Sequence, residues 1–268
     1  MTSESMALGA PRRVAAGGVL QGATAFWFMT AIFSQWAFLY YIVAFYGPST
    51  LTGNFQVWSR NPNLLKGYVA GDIAGNLFFA AHVLLAAVIS FGGALQLIPQ
   101  IRAKAMPFHR WNGRVFMLTA LGISLDGLYL VWVRHSSPDL LGAGAISFNA
   151  ALIVSCVAMA WRKALAGEIA AHRRWAMRSY MVANGQWFFR VGVFGMILLA
   201  KPWVAPFFVL WGFGCYLVPL AVLELYLRAK DSGGATARLA MASGLSMVAI
   251  LIGIGTFGVY LGAWRPLL

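Results

Sequence analysis

The chain has 268 residues, 60% of them hydrophobic and only 10% charged, with a net charge of +13. A soluble domain carries about 25% charged residues. This chain lacks the polar surface to face water, and a mean hydropathy of +0.73 places it among integral membrane proteins. The basic residues fall in short clusters between apolar runs, which points to membrane topology and anionic lipid and away from nucleic acid.

Seven runs approach the about 20 apolar residues that a helix needs to cross a bilayer core. The first, residues 23–46, follows Arg12 and Arg13. It is longer than the apolar part of a secretory signal and ends in no small-residue cleavage site, so it reads as a retained helix. Residues 47–72 form a loop with Trp58 and Tyr68, part of it expected along the interface. The second run, 73–99, carries Asn76, His82 and the pair Gly92-Gly93. The connection "IRAKAMPFHRW" leads to the third run, 114–133, which holds Asp126. The fourth, 144–162, contains Asn149 and Cys156. The connection "WRKALAGEIAAHRRW" leads to the fifth, 180–200, with Asn184, Gln186 and Arg190. The sixth and seventh, 203–228 and 238–263, bring Cys215, Glu224 and the Gly258/Gly262 pair. None of these runs alternates with period 2, so a β-barrel is excluded.

The expected fold is therefore all-α, a polytopic bundle of seven transmembrane helices forming a single domain over residues 1–268. Its core would be 73–200, with 23–46, 203–228 and 238–263 peripheral. With a cytoplasmic N-terminus the inside segments hold fourteen lysines and arginines and the outside segments five. The positive-inside rule then puts the N-terminus in the cytoplasm and the C-terminus outside. The two cysteines lie in apolar runs and read as packing residues. The spacings Gly71/Gly75 and Gly258/Gly262 read as helix-packing motifs, the second able to face a further subunit.

Ionisable side chains inside a span are costly and so mark function. From the rise per residue, Arg190 lies about 15 Å, Asp126 about 20 Å and His82 about 25 Å from the cytoplasmic ends. Arg190 needs a counter-charge, and Asp126 is the mid-membrane carboxylate available to it. His82, Asp126, Arg190 and Gln186 form the candidate polar site: a bundle-locking ion pair, or a cavity that binds an anion or relays protons with His82 as the titrating group. Glu224 is expected to snorkel or to pair with Arg228 one turn on. A second candidate site gathers His109, Arg110, Arg114, His172, Arg173 and Arg178 at the cytoplasmic mouths of the third and fifth helices, suited to anionic lipid or to a phosphorylated or carboxylated substrate. The chain contains no HExxH, GxSxG or P-loop and no close pair of carboxylates, so hydrolytic chemistry is not expected.

The motifs "HRWNGRV" and "HRRWAMRSY", with His82, Gln96, Arg102 and Arg190 around them, resemble a bacterial family of predicted multi-pass membrane proteins catalogued as a domain of unknown function. The resemblance covers about residues 73–200. It implies a membrane bundle in the bacterial inner membrane, with His82, His109, Arg110, Gly113, Arg114, His172, Arg173, Trp175, Arg178 and Arg190 at the characteristic positions. Asp126 has no counterpart in that pattern. A weaker resemblance is to transmembrane dihaem b-type cytochromes, which carry one histidine on each of four successive helices. It implies haem b held by His109 and His172, which share a depth; His82 and His135 do not. Three functions stay open: transport of a small solute or proton relay, a haem-binding membrane oxidoreductase, and a non-catalytic accessory subunit of a homo-oligomer or membrane complex.

Overall fold

The computed structural model describes residues 3–268, with side chains from Val14 onward, so Arg12 and Arg13 of the topology count lie outside the described side chains. The chain is helical, with no strand among the described residues. Inside a bilayer every backbone N–H and C=O must be bonded within the segment, and only helices do this for runs of such composition. In chain order the helices are α1 (Ser3–Leu51), α2 (Ile73–Leu97), the short α3 (Pro99–Lys104), α4 (Met106–Trp132), α5 (Leu140–Leu165), α6 (Ile169–Ala183), α7 (Gly185–Ala200), α8 (Val204–Ser232) and α9 (Ala235–Val259). Short turns occupy Phe55–Arg60 and Lys201–Trp203, and the last helix ends in a wider turn over Tyr260–Trp264.

The starts are fixed by local chemistry. Asp72 caps α2 by accepting from the Gly75 amide at 2.8 Å, and Asp139 caps α5 through the Gly142 amide at 2.6 Å. Proline opens α3 and α4, where its missing N–H costs nothing. Between α6 and α7 the Asn184 side chain donates to the Tyr180 carbonyl at 2.8 Å, and the helix bends there. The run expected at 180–200 is thus the upper part of a bent pair that starts at Ile169.

Among the described residues six stretches are long and apolar enough to cross a membrane: Val14–Leu51, Ile73–Leu97, Met106–Trp132, Leu140–Leu165, Gly185–Ser232 and Ala235–Trp264. The 48-residue stretch from Gly185 to Ser232 is not straight. Trp211 on α8 donates its indole N–H to the Phe188 carbonyl on α7 at 3.1 Å. In one continuous helix these residues would stand about 35 Å apart. The chain therefore reverses at Lys201–Trp203 and lays α8 back along α7.

Glycines set the close contacts. Gly93 on α2 sits under Phe116 of α4 and Tyr180 of α6, which makes one plane where three helices meet. Gly255 and Gly258 on α9 face the Val191 and Phe194 carbonyls of α7, so the two backbones touch. The Gly258/Gly262 pair therefore packs within the chain, against α7, and not against a further subunit. Gly71, by contrast, lies in the turn before α2 with a φ of 80°, so the Gly71/Gly75 spacing is not a helix-packing face.

α1 joins the interior. Ser34 and Gln35 are fully buried. Ser34 accepts from the Trp187 indole at 2.9 Å and from Thr256 at 2.6 Å, and Gln35 accepts from the Tyr180 hydroxyl at 3.0 Å. The loop after α1 is also packed inward: Trp58 is fully buried, donates to Ser49 at 2.7 Å and sits beside Phe79. The expectation that this loop lies along the interface is corrected at that residue.

Candidate functional site

The plane of Gly93, Phe116 and Tyr180 gives a common origin. Counting the helical rise from it, His82 on α2, Asp126 on α4 and Arg190 on α7 all stand about 15 Å toward the face where α1 ends. Equal height does not join all three.

His82 and Asp126 meet. The imidazole Nδ1 lies 3.2 Å from Asp126 Oδ2, with Asp126 8% exposed and His82 25% exposed. The next residue on α4, Gly127, has no Cβ, and the His82 ring lies over the space a Cβ would fill. The second carboxylate oxygen, Asp126 Oδ1, is buried and without a hydrogen-bond partner. With Asp126 ionised, Nδ1 is the donor to the carboxylate and Nε2 is the acceptor nitrogen of a neutral ring. An orphan oxygen in such a place is a costly feature that a proton or a donor would relieve.

Arg190 goes elsewhere, and the expected Arg190–Asp126 pair is corrected. Its Nη1 donates to the Gln186 carbonyl at 3.0 Å and lies 3.5 Å from Gln186 Oε1. Its guanidinium sits 5.4 Å over the Phe38 ring. Among the described residues no carboxylate lies within ion-pair distance of it. Its field instead reaches the phenols of Tyr41 and Tyr46, whose hydroxyls are 3.3 Å apart, with Asn61 donating to Tyr41 at 2.9 Å. The physical reason is neighbourhood. α4 packs against α2 and α5, whereas α7 packs against α8 and α9, so the adjacent α2 supplies the partner of Asp126 and Arg190 turns back onto Gln186 one turn away on its own helix.

The second candidate site lies at the opposite face of the bundle, where α1, α4 and α6 begin. His172 Nδ1 is 2.8 Å from the Ala160 carbonyl, which makes Nδ1 the protonated nitrogen and leaves the Nε2 lone pair available. His109 is held through its carbonyl by Gln96 at 2.9 Å, and its Nδ1 is buried without a partner. His109 lies within electrostatic range of Arg102 and of His172. Arg110, Arg114 and Arg173 are exposed around them, Arg114 stacking 5.3 Å over Trp111.

Arg178 does not contribute a free charge there. It binds Glu224 of α8 through two bonds of 2.6 and 3.0 Å and stacks 4.7 Å over Trp175. That corrects the expected i+4 partner of Glu224, because a forked guanidinium on the neighbouring helix matches a carboxylate better than a side chain on its own helix. Arg174 pairs with Asp231 at 2.6 Å. The exposed His135, with a φ of 53°, sits in the turn after α4, away from the bonded His82.

One polar centre was not anticipated. Arg134, 4% exposed in its side chain, donates to Asp72 at 2.9 Å, to the Lys66 carbonyl at 2.6 Å and to Asn76 Oδ1 at 2.6 Å. The Gly75 amide first, and then the Arg134 guanidinium, hold the Asp72 carboxyl below the usual carboxylate range. This knot ties the long loop to the ends of α2 and α4. In sequence Arg134 looked like a loop charge, and only the acid cap "GDIAG" before α2 hinted at a partner.

Among the described residues no three His, Cys, Asp or Glu side chains converge to hold a metal ion. No curated protein and no solved structure matches the chain. The match that is found runs over residues 79–227, from the turn before His82 to the turn after Glu224, and so covers more than half of the sequence. The chain belongs to DUF2306, a family of predicted membrane proteins.

Proposed function

We propose that the chain crosses the membrane seven times, N-terminus inside, and that the His82–Asp126 pair takes up and releases a proton within the bundle, in service of proton relay or of the transport of a small solute. The fold-back at Lys201–Trp203 supports the odd number of crossings, since it divides the stretch 185–232 into two antiparallel helices. The basic bias of the connections supports the orientation. The bacterial inner membrane is the compartment that this reading assumes, with anionic lipid at the basic face.

The proton reading is carried by one observation: a histidine and a carboxylate 3.2 Å apart at mid-height, with the other carboxylate oxygen buried and unpartnered. Imidazole changes protonation readily near neutral pH, and the carboxylate beside it offers a second acceptor for the same proton. Proteoliposomes enclosing a pH-sensitive dye test it. Under an imposed potential the wild type should acidify or alkalinise the lumen faster than empty vesicles, and Asp126→Asn should abolish the difference. Equal rates in wild type and Asp126→Asn would remove this reading and favour an accessory role.

A second reading has its own observation. The Ala160 carbonyl holds His172 in the tautomer that presents Nε2, the arrangement in which imidazoles ligate iron. His172 and His109 would hold one haem b between α4 and α6, and Arg102, Arg110, Arg114 and Arg173 would face its propionates. Bound there, haem would supply one-electron transfer. An absorption spectrum of purified protein with and without dithionite decides it: a Soret band that shifts on reduction supports haem, and a colourless preparation from haem-replete cells dismisses it.

A further inference from the structure

Away from both polar sites, a crevice of about 1460 Å³ runs between α1 and α9 on one side and α6, α7 and α8 on the other. Its walls are apolar for most of their height: Phe28, Val191, Leu199, Phe207, Val222 and Leu251 are typical. The polar lining is concentrated at one end. Gln21 of α1, Gln100 of α3, and Tyr226 and Lys230 of α8 all lie toward the face where α1 begins. The Lys230 ammonium stands 5.7 Å over the Tyr226 ring, and among the described residues it has no carboxylate partner. The remaining tyrosine of the lining, Tyr180, has its hydroxyl committed to Gln35.

The volume exceeds the roughly 300–1,000 Å³ of sites for drug-sized ligands. A slot that is apolar along its length and cationic at one end matches an amphiphile with apolar chains and a single anionic head. We infer that the crevice binds an anionic phospholipid, its acyl chains between α1 and α8 and its phosphate at Lys230. The placement of that head in the cytoplasmic leaflet, whose surface is negative, rests on the orientation proposed above. The binding itself does not, because neither His82 nor Asp126 lines the crevice.

Protein purified in mild detergent and washed at high salt is to be extracted, and its lipid counted by mass spectrometry. Wild type should keep about one phosphatidylglycerol or other anionic phospholipid per chain, the stoichiometry of a single crevice site rather than of an annulus. Val222→Trp places a large ring in the slot and should remove that lipid while the elution volume and melting curve stay those of a folded bundle. Lys230→Glu should lower the ratio of anionic to zwitterionic lipid by about five-fold, the scale of one basic residue near a membrane surface. Unchanged lipid in Lys230→Glu overturns the inference, as does an isoprenoid quinone recovered in place of phospholipid. If Val222→Trp does not fold, Lys230→Glu decides alone. The measurement is made in detergent, blind to orientation and to proton flux, so its failure is distinct from failure of the proton reading.

Discussion

The Asp126 carboxylate meets His82 at 3.2 Å between α4 and α2, while Arg190, at about the same height on α7, turns onto Phe38 and Gln186. The bundle therefore separates Asp126 from Arg190, the acid and the arginine at its mid-height. Among the described residues no fixed positive charge stands in contact with the His82–Asp126 pair.

Removing one member of that pair should destabilise the bundle. His82→Ala leaves Asp126 with both oxygens unpartnered, and the expected loss is about 2–3 kcal/mol, at or below the low end for broken buried pairs because His82 is a quarter exposed. His82→Gln keeps a donor within reach and should cost less than His82→Ala. Thermal or denaturant unfolding in detergent micelles checks the order; equal losses would mean that the contact is not what matters.

The Asp72–Arg134 knot gives the structure a defined acid limit. The folded carboxyl is held below its ordinary value, so its stabilising contribution is complete above the usual carboxylate pKa of about 3.9 and fades as pH falls through the depressed value. The melting temperature of the wild type should thus drop relative to Asp72→Asn only below about pH 4, with a constant offset from there to neutrality. A gap that opened near pH 6 would point to another group.

The apolar runs made most helix positions readable, and the start of α2 at Ile73 and of α8 at Val204 follow them closely. The unread parts are helical without being apolar. α4 begins at Met106, eight residues before the expected 114, and α6 begins at Ile169, because the basic stretches that open these helices are helical although they are not apolar. Hydropathy senses lipid contact, not helix, and is blind to such extensions. Partner choice at the polar site was unreadable for a different reason. The rise per residue gives height, but which helices adjoin is set by packing: α2 lies against α4, with Gly93 beneath Phe116 and Tyr180, and α7 lies against α8 and α9. Arg134 illustrates the same gap: counted as a loop charge, it is buried because the loop folds back and offers it the Lys66 and Gly67 carbonyls.

Arg178 and Glu224 tie α6 to α8 by a fork of two hydrogen bonds. Arg178→Lys keeps the charge but loses the fork, so it should weaken the bundle almost as much as Arg178→Ala. A double-mutant cycle with Glu224→Gln should return a coupling of about 1 kcal/mol, since the pair is only partly buried. A coupling near zero would place the two residues in independent solvation shells.

The contact of α7 with α9 depends on glycine more directly than on any polar bond. A Cβ at Gly255 would run into the Val191 carbonyl and side chain, and one at Gly258 into the Phe194 carbonyl. Backbone cannot swing aside as a side chain can, so Gly255→Ala must push the helices apart. That strains the Ser34–Thr256 hydrogen bond one residue along. The expected cost is about 1–3 kcal/mol, the range for overpacking a close interface. Gly253→Ala, where no atom lies within 4 Å of the added Cβ, should be neutral or stabilising, because alanine favours helix over glycine by about 1 kcal/mol. Unfolding of the two variants side by side tests the claim: opposite signs support close backbone contact as the source of the α7–α9 interface, and equal effects would reduce it to helix propensity.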